Sequence, residues 1–229
     1  MTVMTRNTIR VLPADGAAHK TLILPADVSL QAVYESPLTP ALLRDALGSP
    51  TTWQLRNETT VRKAILSPQL TPRFIAALLA LCTTAEFGDT ELPLEKYLRR
   101  SEERPEMLVA LHLPTAVPGR VWAEKHVSRT PADEPIVSVR AVVDTANGTV
   151  TRARLAFTGA FREHARVAEK AAEVLRGKPL TDDTIAAAAQ AASEEVSPPD
   201  NFIGSAEYRR EMVKILTRRA LEACRSEVQ

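Results

Sequence analysis

The chain has 229 residues, with 29 Lys plus Arg against 28 Asp plus Glu and a net charge of +1 at pH 7. So even a balance supplies no electrostatic argument for nucleic acid or for an anionic membrane surface. The length suits one large domain or two small ones, and an aromatic content of 4% leaves the core to Leu, Val, Ile and Ala.

Two short strands are expected at Thr8–Leu12 and Lys20–Leu24, around a Pro13–Gly16 turn. Pro40–Leu47 reads as a short helix with Thr39 as N-cap, Pro40 at the first helical position and Gly48 past its end. The same Thr-Pro signal at Thr71-Pro72 opens an apolar, buried helix over Arg73–Cys82. Thr84–Phe87 is a strand before a Gly88-Asp89 turn. Leu94–Arg100 is a short helix, and Met107–Leu113 alternates as a strand that stops at Pro114.

The character changes near Val117–Arg120. Arg120–Val127, Ile136–Asp144 and Thr149–Thr158 read as three strands, the last two joined through Asn147-Gly148, a strong hairpin signal. A helix is expected over Arg162–Arg176, ended by Gly177 and Pro179. Thr181 caps a second, Ala-rich helix whose first turn carries Asp182 and Asp183. Ser205 caps a final helix from Ala206 to about Ser226, with Tyr208, Met212, Ile215, Leu216, Ala220 and Ala223 at helical spacing. These elements predict an α+β fold: residues 1–116 form one region, and residues 117–229 a three-stranded antiparallel sheet packed with three helices.

Cys82 and Cys224 form no Cys-x-x-Cys pair, so they hold neither zinc nor an iron–sulfur cluster by themselves. They read as reduced, buried thiols. His19, His112, His126 and His164 are scattered, and none pairs at metal-ligand spacing. No metal site, no phosphate-binding P-loop and no Gly-x-Ser-x-Gly element is found. No apolar run approaches the ~20 residues of a membrane span, and Met1–Arg10 lacks a signal-peptide core. A cytoplasmic protein with no membrane or nucleic-acid partner is expected.

The C-terminal half carries a pattern of its own. Leu175-Arg176-Gly177-Lys178-Pro179-Leu180, Ser197-Pro198-Pro199-Asp200, Gly204-Ser205-Ala206-Glu207-Tyr208-Arg209-Arg210 and Thr217-Arg218-Arg219-Ala220-Leu221 follow in order. This series resembles the C-terminal domain of the FAD-carrying middle subunit of molybdenum hydroxylases, the carbon monoxide dehydrogenase and xanthine dehydrogenase type. Trp122, Lys125, Arg129, Asp133 and Ile136-Val137-Ser138-Val139 resemble that domain's opening strands. Further back, Arg56-Asn57-Glu58-Thr59-Thr60-Val61-Arg62-Lys63-Ala64 resembles the family's second flavin-contacting segment, Arg-Asn, two residues, Thr, an aliphatic residue, then Gly-Gly-Asn.

The resemblance implies an oxidoreductase complex. Flavin passes electrons between iron–sulfur clusters on a small subunit and an external acceptor, while substrate is hydroxylated at molybdenum in a large subunit. It also implies candidate cofactor-contacting positions at Arg56, Asn57, Thr60, Arg62, Lys63 and Lys125; no catalytic residue is assigned. Two departures count against flavin. Arg62 and Lys63 stand where the family has glycines that let backbone approach pyrophosphate, with Ala64 at the Asn position. The family's first flavin loop, Ala-Gly-Gly-Thr, has no counterpart in Met1–Gly48, so residues 1–116 read as a shortened FAD-binding region.

The resulting expectation is a degenerate middle subunit that acts in assembly or docking. It would not be catalytic alone and would need no cofactor of its own, unless a partner completes a FAD site. Its partners would be a molybdenum-cofactor large subunit and an iron–sulfur small subunit; a homo-oligomer stays open. The alternative is a stand-alone protein, repurposed as an enzyme, that uses the former flavin cleft for another small molecule. Arg62, Lys63 and Lys125 would then hold a polar or anionic ligand. Arg62-Lys63 reads either as an anion site or as a solvated loop.

Overall fold

A computed structural model describes residues 8–13, 20–99, 108–162 and 164–228. Most of the anticipated Pro13–Gly16 turn, together with His19, Arg100 and Met107, lies outside them. The chain divides into two compact units, Met1–Val117 and Pro118–Gln229.

The first unit holds a five-stranded sheet in the order β1-β2-β5-β3-β4. Its strands are β1 (Arg10–Leu12), β2 (Lys20–Pro25), β3 (Thr84–Phe87), β4 (Thr90–Pro93) and β5 (Leu108–Thr115), and all pairings are antiparallel. Alternation puts Leu22, Leu24, Leu111, Leu113, Ala85 and Phe87 on one face, through pairings such as Leu22 with Leu113 and Ala85 with Leu111. All six are essentially inaccessible to solvent. β5 runs on through Pro114, which pairs with Thr21, where the sequence predicts a stop.

Among the described residues this unit has six α-helices: α1 (Leu30–Glu35), α2 (Ala41–Ala46), α3 (Trp53–Glu58), α4 (Val61–Leu66), α5 (Pro72–Ala80) and α6 (Leu94–Arg99). The helix at Thr39-Pro40 forms with its cap shifted by one residue. Pro40 is the N-cap, and the Thr39 hydroxyl donates to the Val33 carbonyl at 2.7 Å. α5 is buried at every residue from Arg73 to Ala80, as its apolar composition predicts.

The second unit corrects the expected three-stranded sheet. It has four strands in the order β6-β7-β8-β9, all antiparallel. β6 (Arg120–Val127) and β8 (Thr149–Thr158) have the predicted bounds, and β7 covers Val137–Ala146. The extra strand β9 (Arg166–Val167) lies where a helix is expected to be under way. There Ala165, Val167 and Ala168 are buried while Arg166 keeps partial exposure. Pairing with Ala156 and Phe157 of β8 satisfies that backbone in place of a helical turn. The helix α7 therefore covers only Glu169–Leu175.

α8 (Asp182–Glu195) starts at a Thr181–Thr184 capping box, and α9 covers Ala206–Val228. Val137, Val139, Ala141, Val143, Leu155 and Phe157 form one core with the inner faces of α7, α8 and α9. Ala188 and Ala192 of α8 belong to it and take little space. The β7–β8 hairpin turns through Asn147 and Gly148, both with positive φ, at 51° and 75°. Along α9 the buried stripe is Arg209, Val213, Leu216, Ala220, Leu221 and Cys224, with Tyr208 outside it and 39% exposed.

Arg209 explains why the best-matched sequence run is architectural. It is 3% exposed, and its guanidinium donates to the carbonyls of Ile136, Gly159 and Gly204 and to Asn201 Oδ1. Burial lowers its pKa from the usual Arg value. Gly159 has φ of +68°, and a Cβ there would run into the Ile136 carbonyl, so glycine is required.

Candidate functional site

Five of the six candidate positions lie in one stretch, and that stretch is helical. α3 and α4 are two short helices with Thr52 and Thr60 as N-caps; Thr52 Oγ1 accepts from Leu55 N and Thr60 Oγ1 from Lys63 N, both at 3.2 Å. Arg62 and Lys63 are thus the second and third residues of α4, which corrects the reading of a solvated loop.

Arg56 is engaged within the first unit. Its Nε donates to Gln31 Oε1 at 2.7 Å, and Nη1 donates to the carbonyls of Leu47 at 2.9 Å and Thr51 at 2.5 Å. The guanidinium also lies 4.4 Å from the centre of the Tyr34 ring. Asn57 Nδ2 donates to the Trp53 carbonyl, inside α3. Thr60 forms an isolated bridge with Ser29, the N-cap of α1, so α4 begins beside the start of α1.

The start of α4 has its amides occupied by the chain itself. Val61 N donates to Val28 O at 2.9 Å, Arg62 N to Ala26 O at 2.7 Å, Lys63 N to Thr60 Oγ1 at 3.2 Å and Ala64 N to Thr60 O at 3.0 Å. The Arg62 side chain is drawn into the same knot. Its Nε and Nη2 donate to Asp27 Oδ1 at 3.0 and 2.8 Å, and Nη1 donates to the Leu108 carbonyl at 2.6 Å. One side chain therefore ties α4 to the turn after β2 and to the start of β5. Lys63 is exposed, and its Nζ donates to the Glu58 carbonyl at 3.3 Å.

Lys125 belongs to β6 of the second unit. It pairs with Val139 and lies on the same face as Ala123, beneath α9. Its charge acts on the Cys224 thiol, yet burial dominates and pushes that thiol up to about 12. Among the described residues no group of three or more His, Cys, Asp or Glu is placed to hold a metal ion. His112 contacts Glu86 at 2.7 Å, and His126 and His164 are far from it in sequence.

Asp27, Gln31 and Leu108 are partners that sequence reading misses. They lie 35, 25 and 46 residues from the arginines they engage. The local signal that could have placed these helices is Thr52 and Thr60, each at the N-cap of a six-residue helix.

Residues 122–224 match the model of the CO dehydrogenase flavoprotein C-terminal domain, from β6 to near the end of α9. The chain is 30% identical over 117 residues to the glyceraldehyde dehydrogenase medium chain of Sulfolobus acidocaldarius, covering 51% of this chain and 41% of the relative. It is 29% identical over 130 residues to the carbon monoxide dehydrogenase medium chain of Hydrogenophaga pseudoflava, covering 57% and 45%. A solved carbon monoxide dehydrogenase from the same organism superposes with a TM-score of 0.82 at 25% identity, over 96% of this chain and 78% of that one. Residues 122–224 match that flavoprotein C-terminal domain, and the chain is similar to the middle subunits of molybdenum hydroxylases. It spans less than half the length of the two medium chains named above. The family likeness takes in both units, because the structural match covers nearly the whole chain. No helix among the described residues is long and apolar enough to cross a membrane.

Proposed function

We propose that this chain is the middle subunit of a molybdenum hydroxylase-type oxidoreductase complex, that it acts by docking partner subunits, and that it binds little or no FAD itself. The observation that carries the proposal is the closed start of α4. A pyrophosphate would need backbone amides and close approach there. The first amides of α4 are spent on Ala26, Val28 and Thr60, and the Arg62 guanidinium is spent on Asp27 and Leu108. The residues present therefore do not fit the flavin phosphates, and no electron-transfer step is assigned to this chain.

The architecture of the second unit supports the docking role. The family core and the Arg209 knot are complete, although neither contributes a reacting group. The relatives are named medium chains, which supports a large molybdenum-cofactor subunit and a small iron–sulfur subunit as partners. Affinity capture of the tagged chain from its native host, followed by metal analysis, tests this. Molybdenum and iron should be recovered with it. A strictly solitary protein would sink the proposal in favour of a stand-alone, repurposed protein. Stoichiometric FAD in the captured complex, but not in the isolated chain, would instead mean that a partner completes the flavin site.

A further inference from the structure

The second unit holds a cavity of about 240 Å³ that the docking reading does not use. It lies between the β7–β8 hairpin, the segment before α8 and the last turn of α9, and Thr145, Val150, Pro179, Leu180, Arg225 and Val228 line it. We propose that this cavity binds a small carboxylic acid with an apolar body.

The wall chemistry selects that class. Val150, Pro179, Leu180 and Val228 make an apolar lining. The polar groups of Val150, Thr145 and Pro179 are already committed. Val150 N donates to Lys178 O, and Val150 O accepts from Gly177 N. The Thr145 hydroxyl donates to Gly119 O, and Pro179 O accepts from Thr181 N and from the Thr184 hydroxyl.

The Arg225 guanidinium differs. Nη1 donates to Asp182 Oδ1 at 2.7 Å, while Nε and Nη2 make no hydrogen bond among the described residues. A carboxylate is the group a guanidinium fork binds with two parallel hydrogen bonds. Asp182 is 81% exposed, and such solvent-screened pairs contribute little, so a ligand carboxylate can share Arg225 or displace Asp182. Size agrees as well. An apolar cavity of about 150 Å³ is enough for benzene, so this one admits an aromatic ring bearing a short acidic arm. Val228 and Arg225 lie three residues apart on α9, which sets apolar wall and charge side by side.

The test uses the full chain and amide NMR titration with sodium phenylacetate, phenylacetamide and sodium acetate. Phenylacetate should shift the amides of Gly148, Val150 and Leu180. It should bind at least about tenfold more tightly than either comparison compound. Arg225→Met should remove that advantage while leaving phenylacetamide unchanged. Asp182→Asn, which removes the competing carboxylate, should tighten phenylacetate binding about two- to fivefold. A gain of this kind cannot come from partial unfolding. Equal binding of acid and amide, undiminished binding to Arg225→Met, or no shifts at these amides would overturn the proposal.

Discussion

Arg62 is the sharpest place to perturb, because its side chain ties the start of α4 to Asp27 and Leu108, where the proposed function excludes the flavin phosphates. Arg62→Ala removes two bonds to Asp27 and one to the Leu108 carbonyl. The Asp27 contacts are weak in energy, since that carboxylate is 59% exposed, and such pairs contribute at most about 1 kcal/mol. The Leu108 contact matters more. Its acceptor belongs to a residue only 2% exposed, and a hydrogen bond from a charged donor contributes about 1.5–3 kcal/mol. The variant should therefore lose about 2–3 kcal/mol, whereas Asp27→Asn should lose less than about 1 kcal/mol. Urea denaturation gives the totals, and hydrogen exchange at the Val61 and Arg62 amides localises the loss to α4. A loss below about 0.5 kcal/mol for Arg62→Ala, or equal losses for both variants, would refute the reasoning that the Leu108 contact dominates.

Three further outcomes follow from the second unit. Gly159→Ala should destabilise it by about 2 kcal/mol or more in a thermal melt, because its positive φ and the nearby Ile136 carbonyl both oppose a side chain. Glu195→Ala should cost about 1–2 kcal/mol in urea, since its carboxylate accepts from the amides of Glu169, Lys170 and Ala171 at the start of α7. Burial raises the Cys224 thiol to about 12, so thiolate is scarce at pH 8. Mass spectrometry should accordingly find Cys224 unalkylated by iodoacetamide in the folded chain at pH 8 and alkylated in urea.

The sequence is most legible where a period repeats over many residues. β6 and β8 have their predicted ends, and so does β3, bounded by the Gly88-Asp89 turn. Long helices α8 and α9 follow from their caps and stripes. Some short elements escape. α1, α3 and α4 have six residues each, too few to show an apolar period clearly, and they lack the Thr-Pro signal that marks the equally short α2. β9 is two residues long and is held by pairing with β8, a tertiary cause that local propensity does not contain. The candidate segment shows the same limit. Arg56 and Arg62 were visible as residue types. Their engagement was not, because Gln31, Asp27 and Leu108 reach them only through the fold.

Kinship to the middle subunits rests on the C-terminal domain match in the second unit and on a structural likeness over nearly the whole chain. The distinguishing part of the proposed function concerns the first unit, where the Arg62 side chain and the first amides of α4 are spent on the chain itself, in the segment that resembles a flavin-contacting one. Flavin content measured after denaturing the purified chain tests that claim most directly. The account predicts a colourless protein that releases far less than one flavin per chain. A yellow protein that releases one FAD per chain would contradict it.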